Sequence, residues 1–245
     1  MKYYDLGISS TLSIGEDNPE IMLDLAIELG FSGIGFADFK NIPPKAVKQL
    51  RKKYQGRCGL YTRATIIPKS INDMKKWVKD LRNRVDFIAI KSGSDEKNIY
   101  INAILDKRVD IISLSEPKEL GSLEYAHFKM ARENVTVVEI STQNLIREGI
   151  QKSRLMRLMN KSCAQLIRSK APFIISSGAQ SKWELRGPRE LVALAGLVGI
   201  PENSALAAVS THPERLIRKS EMVHDPNCLM AGVRVVSLEE EENGS

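Results

Sequence analysis

Apolar residues gather in short runs at 3–8, 33–37, 59–67, 87–91, 109–114, 135–140 and 172–175, and more weakly at 206–209. Runs that are this short and continuously apolar describe strands buried on both faces, rather than strands with one wet face. Between them, apolar residues recur three and four apart over 19–29, 44–54, 71–82, 95–105, 123–133, 150–169, 188–198 and 213–220, the spacing of amphipathic helices. Strand and helix alternate, and the units recur at roughly the 30-residue period of βα repetition. The pattern predicts an α/β fold: a TIM-like (β/α) barrel whose eighth strand, near 206–210, is short or irregular. No Pro/Gly/Ser-rich linker interrupts it. Residues 1–238 therefore read as one domain, and 239–245, which begins with four glutamates, as a flexible acidic tail.

Composition narrows the class. A chain of 245 residues with 42% hydrophobic content is long enough for one large core. No apolar run reaches the roughly 18 residues of a membrane span, and residues 1–10 lack the architecture of a signal peptide, so the chain is expected to be soluble and cytoplasmic, with no membrane partner. Cys58, Cys163 and Cys228 are odd in number and widely spaced, which fits neither a disulfide framework nor a zinc pattern, and they are expected to be reduced and structural. The net charge of +6 is unevenly spread. Residues 1–39 hold one basic side chain against seven acidic ones and residues 220–245 one against six, leaving 40–219 at +17. A charge of that size on one part of a domain is the electrostatic footprint of a polyanion partner, although solvated helix faces would give the same count.

In a barrel of this kind the chemistry sits where strands end and βα loops begin. The predicted strand ends supply Ser9, Ser10, Asp38, Arg63, Thr65, Lys91, Ser92, Ser113, Ser115, Glu116, Glu139, Ser141, Thr142, Ser176, Ser177, Ser210, Thr211 and His212. This mouth is rich in hydroxyls and poor in metal ligands, whereas a metal-dependent hydrolase needs several His and Asp side chains converging on each ion. The chain has only three histidines. His127 falls inside a helix, His224 in a loop beside Asp225 and Pro226, and His212 at a strand end that is equally a helix start. Neither a nucleophile elbow nor a phosphate loop is present, so no catalytic residue and no metal site is assigned.

The basic segments are more informative. "KAVKQLRKKYQGR" (45–57) carries six cations and no carboxylate, so something anionic is expected beside it. "PKSINDMKKWVKDLRNR" (68–84) adds six more around Trp77, which reads as a packing residue in preference to a base-stacking one. Arg147, Lys152, Arg154, Arg157, Lys161, Arg168 and Lys170 come after the sixth strand. The stretch "IISSGAQSKWELRGPREL" (174–191) then places Lys182, Trp183, Glu184, Arg186 and Arg189 between a strand and a helix that starts near Pro188. Cations are disfavoured at a helix N-terminus, so Arg186 and Arg189 call for an anion. Two anions are open: Glu184 and Glu190 within the chain, or a phosphate taken by the Arg forks and free backbone N–H groups.

The run "SSGAQSKWELRGPRELVALAGLVGI", continued by "AAVST" and a Pro-containing helix start, resembles RNase P protein component 3, the archaeal relative of the thirty-kilodalton subunit of eukaryotic nuclear RNase P. The resemblance is most specific over 174–212 and agrees in order and length with the preceding units. It implies a TIM-like barrel related to metal-dependent phosphoesterases of the polymerase and histidinol phosphatase type. Those relatives carry an H-x-H pair at the end of the first strand, where this chain reads "YYDLGISS". The function implied by resemblance is that of a non-catalytic, RNA-binding subunit of ribonuclease P, an enzyme whose RNA subunit uses Mg²⁺ to remove the 5′ leader of precursor tRNA. This chain would bind no cofactor itself. Its implied partners are RNase P RNA, protein component 2, other RNase P protein subunits and, through the complex, precursor tRNA. The candidate RNA-binding residues are Lys182, Arg186 and Arg189, joined by Arg63, Lys69 and Lys91 on one rim of the barrel, with component 2 on less charged helices. The alternatives are a barrel phosphoesterase, or a metal-free enzyme acting on a phosphorylated metabolite.

Overall fold

The computed structural model describes residues 1–37, 44–92, 97–147, 151–224, 228–230 and 233–234. Asp38, the residues opening the helices predicted from 95 and 150, Asp225 and the acidic tail lie outside the described residues. The chain opens with β1 (Tyr4–Ile8), α1 (Pro19–Glu28), β2 (Gly33–Phe36), α2 (Pro44–Tyr54), β3 (Gly59–Ile66), α3 (Ile71–Leu81) and β4 (Phe87–Ile90). It continues with α4 (Lys97–Leu105), β5 (Ile111–Leu114), α5 (Pro117–Ser122), α6 (Tyr125–Glu133), β6 (Val137–Ser141), α7 (Gln143–Ile146), α8 (Lys152–Ser169) and β7 (Phe173–Ser176). Then come α9 (Pro188–Leu197), α10 (Glu202–Ala208), α11 (Thr211–His224), β8 (Cys228–Met230) and β9 (Val233–Arg234). The first seven strands form one parallel sheet in sequence order, and β8 and β9 form a separate antiparallel pair. Seven parallel strands alternating with helices make a nearly closed TIM-like barrel.

Helix starts obey their local chemistry. Asn18 Oδ1 accepts the Glu20 amide at 2.9 Å ahead of Pro19, and Ser70 Oγ accepts the Asp73 amide at 3.1 Å. The strands divide their side chains between two cores. Ile8, Ile34, Ile88, Ile112, Val138 and Ile175 pack against the helices, while Tyr4, Leu6, Phe87, Ala89, Ile111, Val137 and Ile174 meet inside the barrel. Leu216 and Ile217 of α11 join the inner group, so that helix plugs the N-terminal end of the barrel.

The eighth strand is not formed. The apolar run at 206–209 belongs to α10 and its C-cap, because Pro201 and Glu202 open a helix and three of the next residues are Ala, the best helix former. Ser210 and His212 consequently do not sit at a strand end. The Val209 carbonyl accepts the Tyr4 amide at 2.9 Å, and His212 Nδ1 lies 2.7 Å from the Phe173 carbonyl, both at the strand starts opposite the mouth. At the other end the gap between β7 and β1 is crossed by the loop after β7: Ser9 N–H donates to Ala179 O at 2.8 Å and Ser177 N–H to Asp5 Oδ2 at 3.1 Å.

Charge segregation along the sequence becomes pairing in space. The anionic neighbour expected for α2 is the acidic N-terminal segment together with Asp86: Lys53 meets Glu20 at 2.6 Å, Arg57 meets Asp24 at 3.6 Å and Arg51 meets Asp86 at 2.5 Å. Arg82, after α3, likewise meets Asp110 at 2.5 Å, and Trp77 packs against the core. Cys58 and Cys163 are buried free thiols whose ionisation burial pushes up to about 11 and about 12. Among the described residues no helix is long and apolar enough to cross a membrane.

Candidate functional site

Inward-facing positions change character along each strand. On β6 the apolar Val137 gives way to Glu139 and Ser141, on β5 Ile111 gives way to Ser113, and on β7 Ile174 gives way to Ser176. The result is an apolar barrel floor under a polar mouth of about 410 Å³, lined by Ser9, Ser13, Thr65, Ser113, Ser115, Ser141 and Ser176, with Gln143, Gln180, Lys91, Arg63 and Glu139. Gly7 is required at its base: a Cβ there would lie 2.7 Å from Glu139 Oε1 and 2.8 Å from Ser176 Oγ. Gly178, at φ +67°, turns the β7 loop over the rim.

Arg63 and Glu139 form a closed unit. Two bonds of 2.6 Å join them, Arg63 Nη1 also donates to Leu6 O at 3.0 Å, and Nε donates to Thr65 Oγ1 at 3.1 Å. Their side chains are only 3% and 2% exposed. Burial by itself would raise the Glu139 carboxyl, but the Arg63 guanidinium outweighs it and holds the group below the ordinary glutamate value. Arg63 is therefore an internal ion-pair residue, which corrects its expected role at an RNA-facing rim. Sequence spacing hides this because the partners are 76 residues apart and meet only across the barrel.

Asp5 is fully buried beside them and ties β1 to the loop after β7 by accepting the Gly7 and Ser177 amides, each at 3.1 Å. Burial pushes its carboxyl up to about 6 from 3.8, against the pull of those hydrogen bonds. Between these values the native state holds a proton that the unfolded chain has released. Stability is thus expected to fall as pH rises from about 4 to about 6, by up to about 3 kcal/mol. Denaturant titrations at pH 4, 5 and 6 check this; in Asp5→Asn the contribution should vanish, leaving a pH-independent penalty for the lost acceptor.

The stretch 177–187 is held at many points. Glu184 takes two bonds from Arg147, at 2.6 and 3.1 Å, and accepts the Gln180 amide at 2.8 Å. Lys182 N–H donates to Asp17 Oδ2 at 2.7 Å, and Glu16 N–H to Gln180 O at 2.7 Å. Glu190 accepts the Gly187 amide at 2.7 Å, capping α9. Both glutamates are thereby engaged without Arg186 or Arg189. Arg186 instead donates Nη1 to the Trp183 and Leu185 carbonyls, at 2.7 and 2.9 Å, which satisfies a turn and removes the reading in which Glu184 or Glu190 is its partner. Arg189 is exposed and has no side-chain partner among the described residues. Arg186→Ala is expected to lower stability by about 1–3 kcal/mol through the freed carbonyls, seen as a lower Tm.

The remaining candidate cations do not form one rim. Lys69 and Lys91 come after β3 and β4; Lys182, Arg186 and Arg189 come after β7, which adjoins β6 and β1 across the barrel. Two cationic banks thus follow separate parts of the sheet. Lys69 is exposed, and Lys91 lies 3.8 Å from Glu116 while lining the mouth. The β3–β5 bank also includes Lys118 and Arg154, which the sequence alone does not mark as site residues. Both are exposed, lack a side-chain partner among the described residues, and share with Lys91 a hollow of about 570 Å³. Lys118 stands four residues past the end of β5, a signal that strand-end reading could use; Arg154 sits in the first turn of a long helix, where nothing distinguishes it.

No group of three or more His, Cys, Asp or Glu side chains converges among the described residues. At the mouth the oxygen donors are chiefly hydroxyls, and Glu139 is spent on Arg63. These residues do not fit the metal centre of phosphoesterase barrels.

Comparison with known proteins agrees with this geometry. A chain of the cryo-EM structure of archaeal Ribonuclease P with mature tRNA is similar in fold at a TM-score of 0.77 and 20% identity, over 96% of this chain and 99% of that one. A histidinol phosphate phosphatase from Lactococcus lactis, with zinc, L-histidinol and phosphate bound, shares the fold more loosely, at a TM-score of 0.51 and 14% identity over 89% and 94%. Ribonuclease P protein component 3 of Methanococcoides burtonii is 26% identical over 95% of this chain and 93% of its own length. Residues 2–225 match the family described as RNase P subunit p30, and the chain belongs to that family.

Proposed function

We infer that this chain, a protein subunit of ribonuclease P, serves the enzyme by holding RNA and not by cleaving it. The observation that carries the reading is a set of exposed cations on the loops and helix starts that follow β3, β5, β6 and β7: Lys69, Lys118, Arg154 and Arg189 have no side-chain partner among the described residues, and Lys118 and Arg154 share with Lys91 a hollow beside the mouth. Unpaired Lys and Arg release counterions from RNA phosphates on binding, which supplies affinity without base preference. Hydrolysis would need a general base or a bound ion at the mouth. Glu139 is locked by Arg63, and the other polar side chains there, among the described residues, are hydroxyls, two amides and Lys91. The phosphoesterase reading and the metal-free enzyme reading are both disfavoured by that chemistry.

In this role the chain binds no cofactor of its own, and the Mg²⁺ of the reaction belongs to the RNA subunit. Its partners are RNase P RNA, protein component 2, the other RNase P proteins and, through the assembly, precursor tRNA, in the cytoplasm. The test is reconstitution of precursor tRNA cleavage from RNase P RNA with and without this chain. The reading requires that the isolated chain cleave nothing in Mg²⁺ or Mn²⁺ and that its addition raise substrate affinity. RNA-free cleavage by the purified chain would overturn it.

A further inference from the structure

Trp183 is 76% exposed, although it sits in one of the most firmly tied loops of the molecule. Glu184, its chain neighbour, is bound by Arg147, and the adjacent Lys182 amide is held by Asp17. Its own carbonyl takes a hydrogen bond from Arg186. A floppy loop could turn such a ring inward; this loop presents it. An indole can bury on the order of 150–250 Å², so leaving one in water on a rigid support forgoes a large stabilisation. The ring also has positive charge against it: the Lys182 ammonium lies 5.0 Å from its centroid. A rigid aromatic face with a cation at its side is the combination that receives an unpaired nucleotide, with its base on the ring and its phosphate on the cation.

We propose that Trp183 is a stacking platform for an unpaired base of RNA in the ribonuclease P assembly, with Lys182 placed to meet that nucleotide's phosphate. The proposal rests on the RNA-holding role argued above and adds a residue-level site to it. The base comes either from RNase P RNA or from the single-stranded leader of precursor tRNA; the chemistry is the same, and the experiment separates the sources. A protein partner covering the indole is the competing outcome.

The chain has two tryptophans, so Trp77→Phe leaves Trp183 as the sole indole reporter. In the complex reconstituted with component 2, adding RNase P RNA, or precursor tRNA after it, should quench that fluorescence, and whichever addition does so identifies the source. Trp183→Ala should weaken binding of that RNA by about 5- to 150-fold with the salt slope unchanged, because stacking releases no counterions. Trp183→Phe should recover most of the affinity. An unquenched indole at saturating RNA, with Trp183→Ala binding normally, would overturn the stacking site and leave the RNA-holding role standing. A blue shift on adding component 2 without RNA, unaltered by later RNA, would assign the indole to a protein contact. Loss of all RNA binding by the assembly in the presence of wild-type chain would remove the underlying role, and the platform with it.

Discussion

Replacing Arg63 with alanine is expected to lower the folding free energy by about 3–5 kcal/mol, because it strands Glu139 as an unpaired charge inside the barrel. That is a large part of the roughly 5–15 kcal/mol typical of a folded domain, and corresponds to a Tm drop of about 6–20 °C for a chain of this size. The contribution of Glu139 to the pH dependence should change sign as well. In the wild type, Glu139 is held below its ordinary value, so its stabilisation is present above the unfolded pKa and is lost as pH falls through the folded one. Without the guanidinium, burial, the largest influence and one that raises the carboxyl, is opposed only by hydrogen bonds from Ser113 and Ser176, so the variant should gain stability on mild acidification. Arg63→Met combined with Glu139→Leu should recover most of the loss, since an apolar pair of similar volume removes both the charge and its desolvation. Denaturant melts of these variants beside wild type at pH 5 and 7 check this, and an Arg63→Ala protein as stable as wild type would show that the pair does not hold the barrel together.

The second large effect concerns RNA. A Lys69→Ala, Lys182→Ala, Arg189→Ala triple variant should bind RNase P RNA with a log K against log salt slope shallower by about 2–3, each lost phosphate contact removing about 0.7–0.9. Lys69 and Arg189 are exposed with no side-chain partner among the described residues, and the half-buried Lys182 sets its ammonium over the Trp183 ring, so the melting temperature should hardly move. Sequence preference should stay as it is, because none of the three is argued to read a base edge. Triple substitution of Lys45, Lys48 and Lys52 removes the same charge from α2. It should change the slope little, and an equal loss from both variants would mean that RNA is held by net charge rather than by this face.

Much of the fold is legible in the sequence because parallel buried strands read as continuous apolar runs, and seven of the eight predicted runs are strands. The run at 206–209 is not: its Ala-rich sequence after Pro201 satisfies a helix better than a strand, and periodicity cannot separate the two in so few residues. The short helices α5, α7 and α10 escape detection for the same reason. Locating the site is harder. The strand-end rule finds the hydroxyl-lined mouth from sequence, since those serines and threonines sit where βα loops begin. It does not find what Arg63 does, because a charged residue at a strand end looks alike whether it faces a ligand or a carboxylate 76 positions away. The alternation within "VVEIS" carries the missing clue: Glu139 shares its face with Val137 and Ser141, which makes it an interior residue in need of a cation. The rule about cations at helix starts looks for an anion beside Arg186 and so does not see that Nη1 also ties two carbonyls of the preceding turn. The charge of 40–219 overstates the free surface, because α1 and Asp86 neutralise part of α2.

The claim that this chain supplies RNA affinity and no chemistry is tested most directly by single-turnover cleavage of precursor tRNA in the reconstituted enzyme, comparing wild type with the Lys69, Lys182, Arg189 triple variant across a range of salt at saturating Mg²⁺. The account predicts that the variant needs more RNA or substrate to reach half-maximal rate, increasingly so as salt rises, and that the rate constant at saturation equals that of wild type. A reduced saturating rate constant with unchanged half-saturation would contradict it, and would place part of the catalytic machinery on this protein.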